Sequence, residues 1–190
     1  MRNKLLFNIL VKNLVVLKTR LFFNPKVLSF CEVLNKAKRV LILLPTKAES
    51  FPKALNHLGS LSAFVSDSEK FLFLPFQQEG FSSHLKNYRM IILKKSDLNW
   101  FSLPNKEFIQ RLKNLRFDIT IDLDLEKNFL NSYLSFLSGS PLRIGVKNKA
   151  GLPFYNFEIS LSEDERYLDE LYESFTETLI KFNNFKEEMR

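Results

Sequence analysis

Glycine is scarce in this chain, with five copies in 190 residues against 20 phenylalanines. Gly59, Gly80, Gly139, Gly145 and Gly151 stand alone, and no two have the spacing of a phosphate cradle. A Gly-rich nucleotide loop is therefore excluded, and aromatic volume must fill much of the core. Cysteine is scarcer still. Cys31 is the only one, so no internal disulfide forms and the chain suits a reducing compartment. The two histidines, His57 and His84, lie apart in polar settings and read as surface residues. With one cysteine they nearly exclude a Cys/His zinc site. Acid is missing from the start of the chain. Residues 1–40 hold nine Lys/Arg and one acid, Glu32, a balance of +8. The net charge of the whole is +7, so residues 41–190 sum to −1. The basic character belongs to the first segment, and the body is neutral. A nucleic-acid-binding domain would carry its charge on the folded surface with aromatics between, so nucleic acid is not an expected partner.

What is present is a globular composition, 45% apolar and 26% charged, at a length that suits one core. Residues 2–22 read as a helix, with Lys4, Asn8, Lys12 and Thr19 on one side and Leu5, Leu6, Ile9, Leu10, Val16 and Leu17 on the other. Asn8, Lys12 and Asn13 interrupt it too soon for a membrane span or a signal peptide. A helix packed on the body or on a second copy is the favoured reading, and a basic helix on an anionic membrane surface is the other. A second helix is expected at 26–37. RVLILLP, 39–45, is a continuous apolar run of the kind found in strands buried on both faces. Further strands are expected at 71–76, 89–95, 117–123 and 142–146, with an edge strand or linker at 155–161. Helices are expected at 52–61, 104–115 and 127–137. Ser138-Gly139-Ser140-Pro141 is a turn, and Ser162-x-x-Glu165 is a capping box opening an acidic helix at 163–182.

Strands alternating with helices predict an α/β fold: one Rossmann-like three-layer sandwich with a mainly parallel sheet, plus an extra N-terminal helix. Three segments follow: a basic helical segment at 1–38, the Rossmann-like domain at 39–161 and an acidic helix at 162–190. Ligands in such sheets bind beyond the carboxyl ends of the strands, which points to the loops at 45–51, 76–84, 95–104, 122–128 and 146–153.

Asp122 and Asp124 stand two apart, a spacing that puts both carboxylates on one face of a strand and could hold Mg2+ or Mn2+. The surrounding segment alternates, with Phe117, Ile119, Ile121, Leu123 and Leu125 on one face and Asp118, Thr120, Asp122, Asp124 and Glu126 on the other. A carboxylate just before the 127–137 helix also serves as its cap. Strand and cap is the stronger reading, and neither a metal nor a cofactor is expected. Arg143, Lys147 and Lys149 surround the loop after the fifth strand. They read as solvated surface, or as a cationic rim for phosphorylated acceptor sugars. Trp100 and Phe101 are expected to be buried rather than to stack on a sugar. The acidic 163–182 helix and the basic first segment have complementary charge, which allows docking within a chain or between two.

Four pieces together resemble the N-terminal half of the bacterial heptosyltransferases, glycosyltransferase family 9. They are RVLILLPTKAESFPKAL at 39–55, RFDITIDLDLEKNFLNSYLSFLSGSPLRIGV at 116–146, FYNFEI at 154–159 and the 163–182 helix. The second piece is the specific one, similar to that family's strand with Ile-Asp-Leu, a helix, then Arg-Ile-Gly. The resemblance implies a GT-B arrangement, in which this half receives the acceptor and a second half binds the sugar-nucleotide donor. It also implies a structural role for Tyr155 and Asn156. The family's first loop carries Gly-Asp, whose Asp is the base for the acceptor hydroxyl. Here that loop is Thr46-Lys47-Ala48-Glu49-Ser50, with Glu49 the only carboxylate. The family's Asp-Leu-Gln-Gly is here Asp122-Leu123-Asp124-Leu125, without the Gly that lets backbone approach a ligand. Glu49 and Asp122 are thus the catalytic candidates. Thr46, Lys47, Arg143 and Lys147 are the substrate-binding ones.

The expectation is an acceptor-side domain in cell-envelope glycan or lipopolysaccharide assembly, cytoplasmic or peripheral to the inner membrane. It would not be active alone, being degenerate or one half of a split enzyme with a separate donor-binding subunit. The alternative is a non-catalytic module that self-associates or contacts the membrane through its basic helix.

Overall fold

Six parallel strands form one sheet, in the order β3-β2-β1-β4-β5-β6. They are β1 (Arg39–Leu43), β2 (Glu69–Leu74), β3 (Arg89–Ile92), β4 (Ile119–Asp122), β5 (Leu142–Val146) and β6 (Phe157–Ile159). The protein is seen here as a computed structural model, which describes residues 2–24, 27–75, 85, 87–126, 128–147, 151–161 and 167–188. The chain runs outward from β1 to β3, then crosses back to β4 on the other side of β1. Leu41 lies opposite Phe71 on one side and Thr120 on the other. Reversal of strand order between β1 and β4 makes this the switch point of a Rossmann-like sheet. The 155–161 segment, open between edge strand and linker, is a parallel edge strand.

Successive residues of a strand point to opposite faces, and the apolar runs at 40–44 and 71–74 serve both. Val40, Ile42, Leu44, Ile119, Ile121 and Leu123 pack beneath α3 (Ser50–Asn56), α4 (Leu58–Phe64) and α7 (Leu168–Glu188). Leu41, Leu43, Phe71 and Phe73 pack beneath α5 (Lys106–Asn114) and α6 (Phe129–Leu137). The expected 52–61 helix is two helices broken at His57, whose half-buried ring stacks on Tyr172 at 5.7 Å between centroids. It is therefore not an isolated surface residue. The helix α2 (Phe30–Lys36) starts later than 26, because Ser29 caps it through the Glu32 amide. Asp118 ties the entry of β4 to that of β1, accepting from the Lys38 and Arg39 amides at 2.8 and 3.0 Å.

The helix α1 (Arg2–Leu21) lies against α6, on the opposite face of the sheet from the acidic α7. Its described basic residues, Lys12, Lys18 and Arg20, therefore lie on the other side of the sheet from the acidic helix. Instead α7 inserts Tyr172, Phe175 and Leu179 into the core and pairs Asp169 with Lys53 of α3. Trp100, expected to be buried, is 78% exposed. It sits in a narrow loop closed by the Leu98–Pro104 bridge. The capping box at Ser162 and Glu165, His84, Lys149 and the 76–84 loop lie outside the described residues.

Candidate functional site

The alternation across 117–126 predicts a polar face, but that face is not open to solvent. β4 is a central strand and α6 lies over it. Asp122 is 0% exposed and Asp124 is 3% exposed. A buried carboxylate is tolerated only when donors surround it. Asp122 Oδ1 accepts from the Asp124 amide at 2.9 Å and from Asn131 Nδ2 at 3.0 Å. Its Oδ2 accepts from the Tyr155 hydroxyl. Ser132 Oγ lies 3.0 Å from the same hydroxyl. Burial, then the neighbouring Asp122 charge, hold the Tyr155 phenol well above its ordinary range. Tyr155 therefore stays a donor, as Asp122 requires.

Tyr155 reaches Asp122 because Gly145 lets it cross β5. A Cβ at Gly145 would lie 2.6 Å from the Tyr155 ring. Beneath Asp122, Thr120 bonds the Ser138 and Ser140 hydroxyls at 2.9 and 2.7 Å. The polar side of β4 is thus a hydroxyl and amide network facing α6.

Asp124 turns the chain out of β4. Its Oδ1 accepts from the Glu126 amide at 3.2 Å, and its Oδ2 from Asn128 Nδ2 at 2.6 Å. With the Asp122–Asp124 bond, these make two successive side-chain-to-backbone turns of the type aspartate favours. The cap of α6 is Asn128, not a carboxylate. Its Oδ1 accepts from the Leu130 and Asn131 amides at 3.0 and 3.4 Å. The same amide group donates to Thr46 Oγ1 at 3.0 Å, which joins the loop after β1 to the loop after β4. Sequence reasoning missed Asn128 and Asn131. The available signal was an Asn three residues before another Asn at the start of an apolar helix.

Above this lock, the two loops form an open rim at the switch point. Lys47 pairs with Glu126 across it, both side chains about half exposed. The Glu126 carboxylate raises the Lys47 pKa, so the ammonium persists. Glu49 is exposed at the start of α3 and adds to the field on Lys47. Thr46, Lys47 and Glu49 are therefore brought together. Asp122 is not with them, because it is sealed beneath the rim.

Arg143 is not on the rim at all. It stands near the start of β5, at the opposite end of the sheet, and is buried. Its guanidinium donates to the Phe154 and Ser140 carbonyls, and burial lowers its pKa. Asn156 clamps the same strand, accepting from the Arg143 amide at 2.8 Å and donating to the Pro141 carbonyl at 2.7 Å. Lys147 follows β5 at the carboxyl end and is exposed. Among the described residues no group of three or more His, Cys, Asp and Glu could hold a metal.

Residues 20–182 match the model of a family of unknown function, DUF6913. The chain belongs to this family. No curated protein matches it in sequence. In fold, this DUF6913 member is similar to an Escherichia coli heptosyltransferase, WaaC, solved with ADP. The TM-score is 0.58 at 16% identity, over 75% of this chain and 46% of that one. A glycosyl transferase family 9 protein from Veillonella parvula DSM 2008 gives 0.56 at 17%, over 75% and 41%. The E. coli ADP-heptose lps heptosyltransferase II gives 0.54 at 14%, over 70% and 40%. The resemblance read from residues 39–182 thus holds at the level of the fold. The chain spans less than half the length of these three proteins.

Proposed function

We propose that this DUF6913 chain is an acceptor-side glycosyltransferase-like domain, which takes a phosphorylated sugar at the switch-point rim and relies on a donor-binding half supplied outside these residues. The observation that carries the reading is the rim itself. Two loops are fastened to each other through Thr46, Asn128 and Asp124, at the place where Rossmann-like sheets bind ligands. Lys47 supplies a persistent cation there, with Lys147 at the end of the neighbouring strand. Glu49 is the exposed carboxylate in reach of the same space.

The setting is cell-envelope glycan assembly, in keeping with the heptosyltransferase neighbours. Transfer by this chain alone is not expected. Asp122, the residue shared with family 9, is committed to Tyr155, Asn131 and the Asp124 amide. No glycine cradle is present to hold a nucleotide pyrophosphate.

Amide chemical shifts test this. Titration with heptose 7-phosphate should move the resonances of residues 46–49 and 124–128, and Lys47→Ala should weaken that binding about tenfold. ADP should move none of them. Shifts in these loops with ADP would make the site a donor site. No shift with either ligand would end the acceptor reading.

A further inference from the structure

The helix α1 carries a second apolar face that the body does not cover. At about 100° per residue, Leu10, Leu14, Leu17 and Leu21 fall within about 60° of one another. All four are between 54% and 71% exposed. The opposite side of the helix is the one seated on α6. There Lys12 lies over the Phe129 ring at 5.7 Å, and Thr19 is buried. Val15, Lys18, Thr19 and Phe22 line a cavity of about 360 Å³ with Tyr133 and Phe136, Lys18 standing at its exposed edge. The leucine stripe is therefore not the core-facing side of the helix.

Charge decides what the stripe fits. Lys18 and Arg20 stand about 80° to either side of it. The helix has five Lys/Arg and no acid, and no acid occurs before Glu32. Pairing two copies through the stripe would place Lys18 and Arg20 of both along one seam. Coiled coils carry complementary charges at those flanking positions, and this helix has none to offer. Nucleic acid would engage the cations and leave four leucines in water. An apolar stripe between two basic margins instead matches a bilayer surface bearing anionic headgroups. No described helix is long and apolar enough to cross a membrane, so the contact is with the surface.

We infer that α1 docks this protein on anionic lipid membranes, with Leu10, Leu14, Leu17 and Leu21 entering the headgroup boundary and Lys18 and Arg20 meeting lipid phosphates. The inference stands independently of the acceptor reading. α1 runs alongside α6, from Lys12 at Phe129 to Phe22 at Phe136. A membrane holding α1 therefore lies along that face of the sheet, and the switch-point rim opens beside the lipid surface.

Vesicle sedimentation of the full chain tests the docking. The expected result is binding to vesicles of 30% phosphatidylglycerol in phosphatidylcholine, and little binding to phosphatidylcholine alone. Raising the salt from 0.1 to 0.5 M should weaken the binding several-fold. Leu14→Asp/Leu17→Asp and Lys18→Glu/Arg20→Glu should each reduce partition tenfold or more. Circular dichroism of each variant should show an unchanged fold, since these side chains are solvent-exposed. Single Leu14→Ser and Leu17→Ser variants supply the same readout if a double variant misfolds. Absence of binding to the anionic vesicles overturns the inference, as does equal binding by all variants. A dimer in light scattering that Leu14→Asp/Leu17→Asp dissolves, with no vesicle binding, would overturn it in favour of a second copy.

Discussion

Asp122 shows how a motif can keep its spelling and lose its exposure. The carboxylate sits under α6, and its charge is held by a phenol, an amide side chain and a backbone amide. Tyr155→Phe removes one of these bonds and should cost about 1–3 kcal/mol in urea unfolding. The same residue gives a pH signature. Burial raises the phenols of Tyr155 and Tyr172 above the ordinary value of 10.0, and nearby carboxylates add to the shift. Both therefore bind their protons more tightly in the folded chain than in the unfolded one. The stability they confer is complete below about pH 10 and is lost as pH rises above it. Unfolding free energy measured from pH 8 to 11 should fall, and Tyr155→Phe should flatten the fall. Gly145 is the companion residue. Gly145→Ala drives a methyl into the Tyr155 ring and should destabilise by about 1–3 kcal/mol. A melting temperature equal to that of the parent would show that the ring can move aside.

Among the elements, the turn from β4 into α6 shapes the site most. Two Asx-type turns and an asparagine cap fix it, and Thr46 fastens it to the loop after β1. Asn128→Ala removes the cap and the tie together. It should cost about 1–2 kcal/mol and increase amide exchange at 124–131. Asn128→Asp keeps the cap but cannot donate to Thr46 or Asp124, so the stability loss should be similar and the loop should open. Asp122 and Asp124 already accept several donors, which leaves little for a metal to add. Addition of Mg2+ or Mn2+ should leave the melting temperature unchanged. A rise that Asp124→Asn abolishes would restore the metal reading.

At the scale of the whole molecule, charge and architecture are separated. The parallel sheet and its two helical layers make a near-neutral body, while α1 holds a basic, leucine-striped surface on one side. The stripe lies outside the core, so Leu14→Ser should change unfolding free energy by no more than about 0.5 kcal/mol. The rim at the carboxyl ends of β1 and β4 occupies the ligand position of this fold class. The sealed network beneath it is a support for that rim.

The layered architecture was legible in the sequence because buried parallel strands must be apolar on both faces. RVLIL and LRIGV could be read directly, as could the turn at 138–141 and the helix before β4. The resemblance to family 9 rested on the same segments and held at the level of fold. Sequence also placed five loops at the carboxyl ends of the strands, since alternating strands and helices imply a parallel sheet; the strand order that singles out the two at the switch point came from the structure. Exposure was not legible. Period-2 alternation places Thr120, Asp122 and Asp124 on one face, but it does not say whether water or a helix covers that face. That depends on where α6 docks, and on serine, asparagine and tyrosine partners 9 to 33 residues away in the chain. The same reason moved Arg143 from the rim to the buried base of β5 and turned Trp100 into solvent. Local pattern determines which elements form and in what order. Long-range packing alone determines which of their polar groups remain free to meet a ligand.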